Sequence, residues 1–172
     1  MAFNILTPRI NAIETLTTWL RDVKSSGTAG GTLTSGSYQT RTLNTQVGDT
    51  TFCSLTNGTT GTDGTANRFT LTAGTYNIEA SAAGRLVNRH KIKLRNITDS
   101  TDSIIGTSEE AVAGNNANCR SFLNGIIILT STKTFELQHR GETTAATNGF
   151  GIASGFGEVE IYAQIKITKI GS

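Results

Sequence analysis

Residues Arg68–Arg85 read RFTLTAGTYNIEASAAGR. At period two, Phe69 and Leu71 point one way, and Arg68 and Thr70 the other. Ala73-Gly74 is a turn. Tyr76, Ile78 and Ala80 then alternate with Thr75, Asn77, Glu79 and Ser81. This pattern predicts a strand, a tight turn and a second strand, each with one apolar face.

The same grammar continues outward. Tyr38–Leu43 and Phe52–Leu55 read as short strands, and 57–67 as a glycine-rich loop. Arg85–Ile97 places Leu86, His90, Ile92 and Leu94 on one face. Its other face carries a basic stripe of Arg89, Lys91, Lys93 and Arg95. Such a stripe is a solvated face that discourages edge pairing, or a contact for an acidic partner such as a capsid protein or a cell-surface polymer. Ile104–Glu110, Asn118–Thr130 and Thr134–Arg140 are further strands, and Thr143–Gly157 is a second glycine-rich loop. The closing stretch Glu158–Ile170, EVEIYAQIKITKI, alternates most regularly, with Val159, Ile161, Ala163, Ile165 and Ile167 facing in. A strand this long belongs inside a sheet, since long exposed edges invite aggregation. About eight strands at this spacing point to an all-β sandwich or jelly roll.

Ile126–Leu129 is apolar on both parities. A strand apolar on both faces needs cover on both. One face packs in the sandwich; the other awaits a loop, a helix or another subunit.

Ile10–Val23 is the one helical candidate. Ile10, Ile13, Leu16, Leu20 and Val23 fall at spacings of three and four, with Trp19 beside them. Thr7 and Pro8 suit a helix start, while Thr15, Thr17 and Thr18 weaken it. The expected organisation is an N-terminal arm with a helix (1–24), a Gly/Ser/Thr-rich connector (25–37) and a jelly-roll domain (38–172). The arm packs on its own domain or docks on a neighbour.

The 172 residues suffice for one core, and 19 are Gly, which suits many turns. The net charge of +2 points to no nucleic acid as partner. MAFNILTPRINAIE lacks the pattern of a secretory signal, and no apolar run approaches a membrane span. Cytosolic synthesis is therefore expected, with Cys53 and Cys119 as free thiols. No enzyme chemistry is legible. His90 and His139 sit at apolar-facing positions on separate strands, as satisfied core residues do. Cys53 and Cys119 have no CxxC partner. Glu109-Glu110 points to opposite faces of a strand and makes a poor acid/base pair. No metal or cofactor is expected.

The ordered series FTLTAGTYNIEASA, VNRHKIKLRNIT, IIGTSE, NGFGIAS and EVEIYAQIKITKI, with GTAGGTLTSGSYQTRTLNT at the front, resembles small virion proteins of tailed phages and prophages. Those carry a tumour-necrosis-factor-like jelly roll, the architecture of the complement-type globular head. The resemblance covers roughly residues 25–170. It implies a homotrimer on a virus particle: a capsid decoration or cement protein contacting the major capsid protein, or a tail-fibre or tail-tip module recognising a host surface glycan. Tyr162 is the position the resemblance places on a three-fold axis, and Ile126, Ile127, Ile128 and Leu129 are the second candidate. Ile10, Ile13, Leu16, Trp19 and Leu20, with Arg89, Lys91, Lys93 and Arg95, are the candidate partner contacts.

Overall fold

The computed structural model describes residues 16–56 and 67–172. Twelve strands run through them: β1 (Leu16–Lys24), β2 (Gln39–Thr40), β3 (Thr45–Gly48), β4 (Cys53–Thr56), β5 (Arg68–Leu71), β6 (Gly74–Arg85), β7 (Asn88–Asn96), β8 (Thr101–Ile105), β9 (Glu109–Ala111), β10 (Asn118–Leu129), β11 (Lys133–Gly141) and β12 (Glu160–Gly171). One sheet has the order β10-β6-β12-β1-β3. The other has the order β4-β5-β11-β7-β8, with β2 beside β11 and β9 beside β7. Among the described residues no helix is long and apolar enough to cross a membrane.

The turn at Ala73-Gly74 carries the chain from one sheet to the other, because β5 pairs with β4 and β11 while β6 pairs with β10 and β12. Gly74 sits at φ +149°, and a Cβ there would meet the carbonyl oxygen of Gly171 at 3.0 Å. The apolar faces on either side of this corner then meet. Phe69 and Leu71 from one sheet, and Tyr76 and Ile78 from the other, are buried in one core with Leu94, Phe135, Ile165 and Ile167.

The helix expected over Ile10–Val23 is not what its described part forms: Leu16–Lys24 is strand β1, hydrogen-bonded between β12 and β3. Ile10 and Ile13 lie outside the described residues. Threonine and tryptophan fit a pleated surface better than a helix, and pairing on both sides decides the matter. The inward residues are Thr18, Leu20 and Asp22, so a buried carboxylate hid the alternation. Other boundaries also moved. The strand expected over Ile104–Glu110 is two short ones, β8 and β9, and Tyr38–Leu43 contributes only β2.

β12 lies inside its sheet, between β6 and β1. Its pairing with β1 slips at Tyr162: Ala163 faces Asp22, whereas Ile161 faces Val23. The extra residue reverses the parity of everything before it. Ala163, Ile165 and Ile167 face the core as expected, but Val159 and Ile161 face out while Glu160 and Tyr162 are buried.

Ser25–Ser37 is not a loose connector. Gly30, Gly31 and Leu33 donate backbone hydrogen bonds to Gly151, Thr147 and Ala145. Leu33, Val87, Ala111 and Ala145 form a second small core there. Glu160 fastens the same end. Its carboxylate accepts from the backbone amides of Gly27, Ser154 and Gly155 and from the Ser154 hydroxyl. These amides, Gly155 first, hold its pKa down to about 2. A carboxyl group depressed on folding stabilises the native state above its unfolded pKa, and that stabilisation is lost as pH falls through the folded value. Acid titration of stability should therefore show a loss between the ordinary value of 4.5 and about 2 that Glu160→Gln reduces. An unchanged acid limb in Glu160→Gln would contradict this.

Candidate functional site

Three features stand out. The first is the outer face of the five-stranded sheet. β10 is its edge strand, and there Phe122, Ile126 and Ile128 are 52%, 63% and 75% exposed. Ile127 and Leu129, on the opposite parity, pack in the core. The both-faces-apolar run is thus half covered by its own chain and half bare. Trp19 and Val47 pair across β1 and β3 on the same outer face, with the Arg21 guanidinium 4.9 Å from the indole ring. A shallow groove of about 280 Å³ runs between Trp19, Phe122 and Lys166. At one end of the sandwich Phe156 is 84% exposed, beside the exposed Val159 and Ile161.

The structure sorts the expected contact residues. Ile126 and Ile128 are available to a neighbour; Ile127 is buried and Leu129 half-buried. Tyr162 is only 3% exposed, and its hydroxyl donates to the Thr28 carbonyl at 2.7 Å. It is a packing residue of its own chain, because the bulge turned it inward, and it cannot line an axis. Leu20 is buried in the core and Leu16 packs against it, so neither is free for a partner; Trp19 is half-exposed. The basic stripe is largely neutralised. Arg89 pairs with Glu142, and Lys93 and Arg95 share Asp102. Lys91 alone of the four makes no ion pair among the described residues.

The second feature is a buried polar chain that spacing could not reveal. Arg41 is wholly buried, with Asp22 at 3.8 Å and the Phe150 ring at 4.0 Å. Its Nη1 donates to the Ala83 carbonyl and faces His139 Nδ1 at 3.5 Å. Arginine only donates, so His139 Nδ1 accepts and its proton sits on Nε2. That proton goes to His90 Nδ1, 2.9 Å away, leaving His90 Nε2–H to donate to Cys119 Sγ at 3.0 Å. β7 and β11 are antiparallel neighbours, which brings the two histidines together. Gly84 on β6 makes the room, since a Cβ there would lie 2.8 Å from the His90 ring. Burial lowers both histidine pKa values, His139 furthest, and burial raises both thiols, Cys53 to about 12. Both cysteines are free. Neither thiol is activated, since burial raises both, and the chain of groups reads as structure. Among the described residues no group of three or more His, Cys, Asp and Glu could hold a metal ion.

The histidines carry a pH signature. Their folded pKa values lie below the ordinary 6.5, so the unfolded chain binds more protons. Stability should fall as pH drops below about 6.5, by up to ~1.4 kcal/mol per pH unit for each histidine. Chemical denaturation between pH 7.5 and 5 should show it, with His139→Gln shallower than the parent. A flat profile would contradict it.

The third feature is a cleft of about 770 Å³ on the seven-stranded sheet. Tyr38, His90, Lys91, Arg140, Glu109 and Glu110 line it, together with the ion-paired Arg89 and Glu142. It lies on the sheet opposite to the apolar stripe.

Two antiparallel sheets in this strand order, packed over one core, define an all-β jelly-roll sandwich, a fold shared with solved structures of very different sequence. Two crystal structures of murine APRIL superpose with TM-scores of 0.52 and 0.51, at 6% identity, over 91% of this chain and 99% of theirs. The globular domain of zebrafish complement 1qA gives a TM-score of 0.47 at 10% identity, over 90% of this chain and 95% of its own. No protein-family model matches the sequence, and no curated protein is significantly similar to it.

Proposed function

We propose that this chain is a homotrimeric structural module of a tailed-phage particle, serving as a capsid decoration or cement protein. The observation that carries self-association is the bare apolar stripe of Phe122, Ile126 and Ile128 on an edge strand. Exposed edges and apolar patches of this kind mark contact sites. The jelly roll supports the reading, being a fold used by oligomeric structural and recognition proteins. The phage location is supported by the resemblance of the strand series from Phe69 to Ile170 to small virion proteins. Three copies gripping a shell gain affinity through multivalency, so weak contacts per chain suffice. A tail-fibre or tail-tip receptor-binding module is the second reading, and the cleft at Lys91 and Arg140 favours it.

Copy number tests both. Quantitative densitometry of purified particles against the major capsid protein should give several hundred copies for decoration. A few tens would support the tail reading instead, and absence from particles would overturn both.

A further inference from the structure

The cleft on the seven-stranded sheet has a charge arrangement that the fold itself does not explain. Lys91 and Arg140 are direct cross-strand partners in the β7–β11 ladder. Their chain neighbours His90, Ile92, His139 and Gly141 are buried, so both cations point outward on the same face. Like charges directly opposite one another are destabilising. Elsewhere on this face the cations are answered: Arg89 by Glu142, Lys93 and Arg95 by Asp102, Arg68 by Glu136. Lys91 and Arg140 make no ion pair among the described residues. They also line a cleft whose volume of about 770 Å³ falls in the usual ~300–1,000 Å³ range of small-ligand sites.

The carboxylates of the cleft have the complementary oddity. Glu110, the cross-strand partner of Arg89, shares the outward face with Lys91, whereas Glu109 lies opposite the buried His90, and neither forms an ion pair among the described residues. The ring of Tyr38 lies at the cationic side, with Lys93 Nζ 4.0 Å from its centroid. Ser35 and Ser108 add hydroxyls. Beside the Arg89–Glu142 pair that also lines it, such a cleft offers two unpaired cations for one anionic group, the Glu110 carboxylate for hydroxyl donors, and an aromatic ring for an apolar ring face.

We propose that this cleft binds an acidic saccharide, its anionic group held between Lys91 and Arg140 and its hydroxyls donating to Glu110. A carboxylate or a phosphate on the sugar satisfies the cationic pair equally. An acidic peptide suits the cleft less, since Glu110 repels its further carboxylates. The inference deepens the receptor-binding reading of this cleft and does not depend on the trimer.

The test is calorimetric titration of the full chain at low ionic strength with four probes: tetragalacturonate, a tetramannose carrying a 6-phosphate, unmodified tetramannose and tetraglutamate. At least one acidic saccharide should bind with a Kd of about 1 mM or below, at least tenfold tighter than tetramannose and tetraglutamate. Which of the two binds identifies the anionic group. The double substitution Lys91→Gln with Arg140→Gln should weaken that binding at least tenfold, with the circular dichroism spectrum and sedimentation coefficient of the parent. Arg140→Gln alone serves if the double variant does not fold. No binding by either acidic saccharide, equal binding of the neutral sugar or the peptide, or an affinity indifferent to the substitutions would overturn the proposal. Sedimentation reports the trimer separately, so the two readings fail independently.

Discussion

Ile126→Asp together with Ile128→Asp should convert the proposed trimer to monomers. Sedimentation of the parent at micromolar concentration is expected to show one species of three 18.2 kDa chains, and the variant a single chain. Both side chains project from the outer face of an edge strand, so the substitutions remove nothing from the core. Burying an isoleucine contributes about 1.5–3 kcal/mol, and burying a carboxylate without a partner costs more than that. Both effects recur at each interface of a closed ring. Circular dichroism should therefore be unchanged while the mass falls threefold. Tyr162→Phe supplies the contrast: it deletes the hydroxyl bonded to Thr28 and should leave the mass of the assembly intact. A parent chain that sediments as a monomer would remove the basis of the proposed function.

The second large effect is expected at Arg41. Its guanidinium is the largest fully buried side chain, and it holds Asp22, the Ala83 and Phe150 carbonyls and the His139 ring together. Burial pulls its pKa down to about 9, still charged at neutral pH, while burial raises the Asp22 carboxyl despite the nearby cation. The pair is poorly satisfied, since Asp22 Oδ1 and Arg41 Nε have no partner among the described residues. Such a pair stabilises little relative to apolar residues of the same size, yet removing one member strands the other. Arg41→Ala should destabilise the chain by about 3–5 kcal/mol in urea. The double variant Asp22→Leu with Arg41→Met should recover most of that. Measuring both in the monomeric background keeps assembly out of the result. A loss below about 1 kcal/mol for Arg41→Ala would show that the network carries no structural weight.

This network also explains what the sequence concealed. Where a strand's inward residues are all apolar, as at Phe69 and Leu71, or at Ile165 and Ile167, period two was plain. In β1 an inward position is Asp22, whose partner Arg41 comes from a different part of the chain. With that position polar, the remaining apolar residues fitted a helical spacing equally well. Tyr162 failed for another reason: a single-residue bulge leaves no mark on composition but exchanges the faces of all residues before it. The basic stripe looked uniform because Asp102 and Glu142, which neutralise most of it, arrive from neighbouring strands. The pairing of His90 with His139 and Cys119 likewise exists only once β7, β10 and β11 are assembled. The bare half of Ile126–Leu129 was legible, since it needed only alternation within one strand.

The pairing of β1 with β12 has a consequence for biosynthesis. Thr17 and Thr168, bonded across that pair, are 151 positions apart. Closing a loop of that length costs about 4 kcal/mol of chain entropy before any contact compensates it. On the ribosome, β1 must therefore wait beside an incomplete sheet until the segment carrying β12 has emerged from the exit tunnel. Nascent chains expose the flanks of β6 and β1 meanwhile, so the interval before β12 arrives is when they are most open to chaperones and to mispairing with one another. The apolar stripe on β10 is thus made earlier in translation than β12, the strand that completes its sheet.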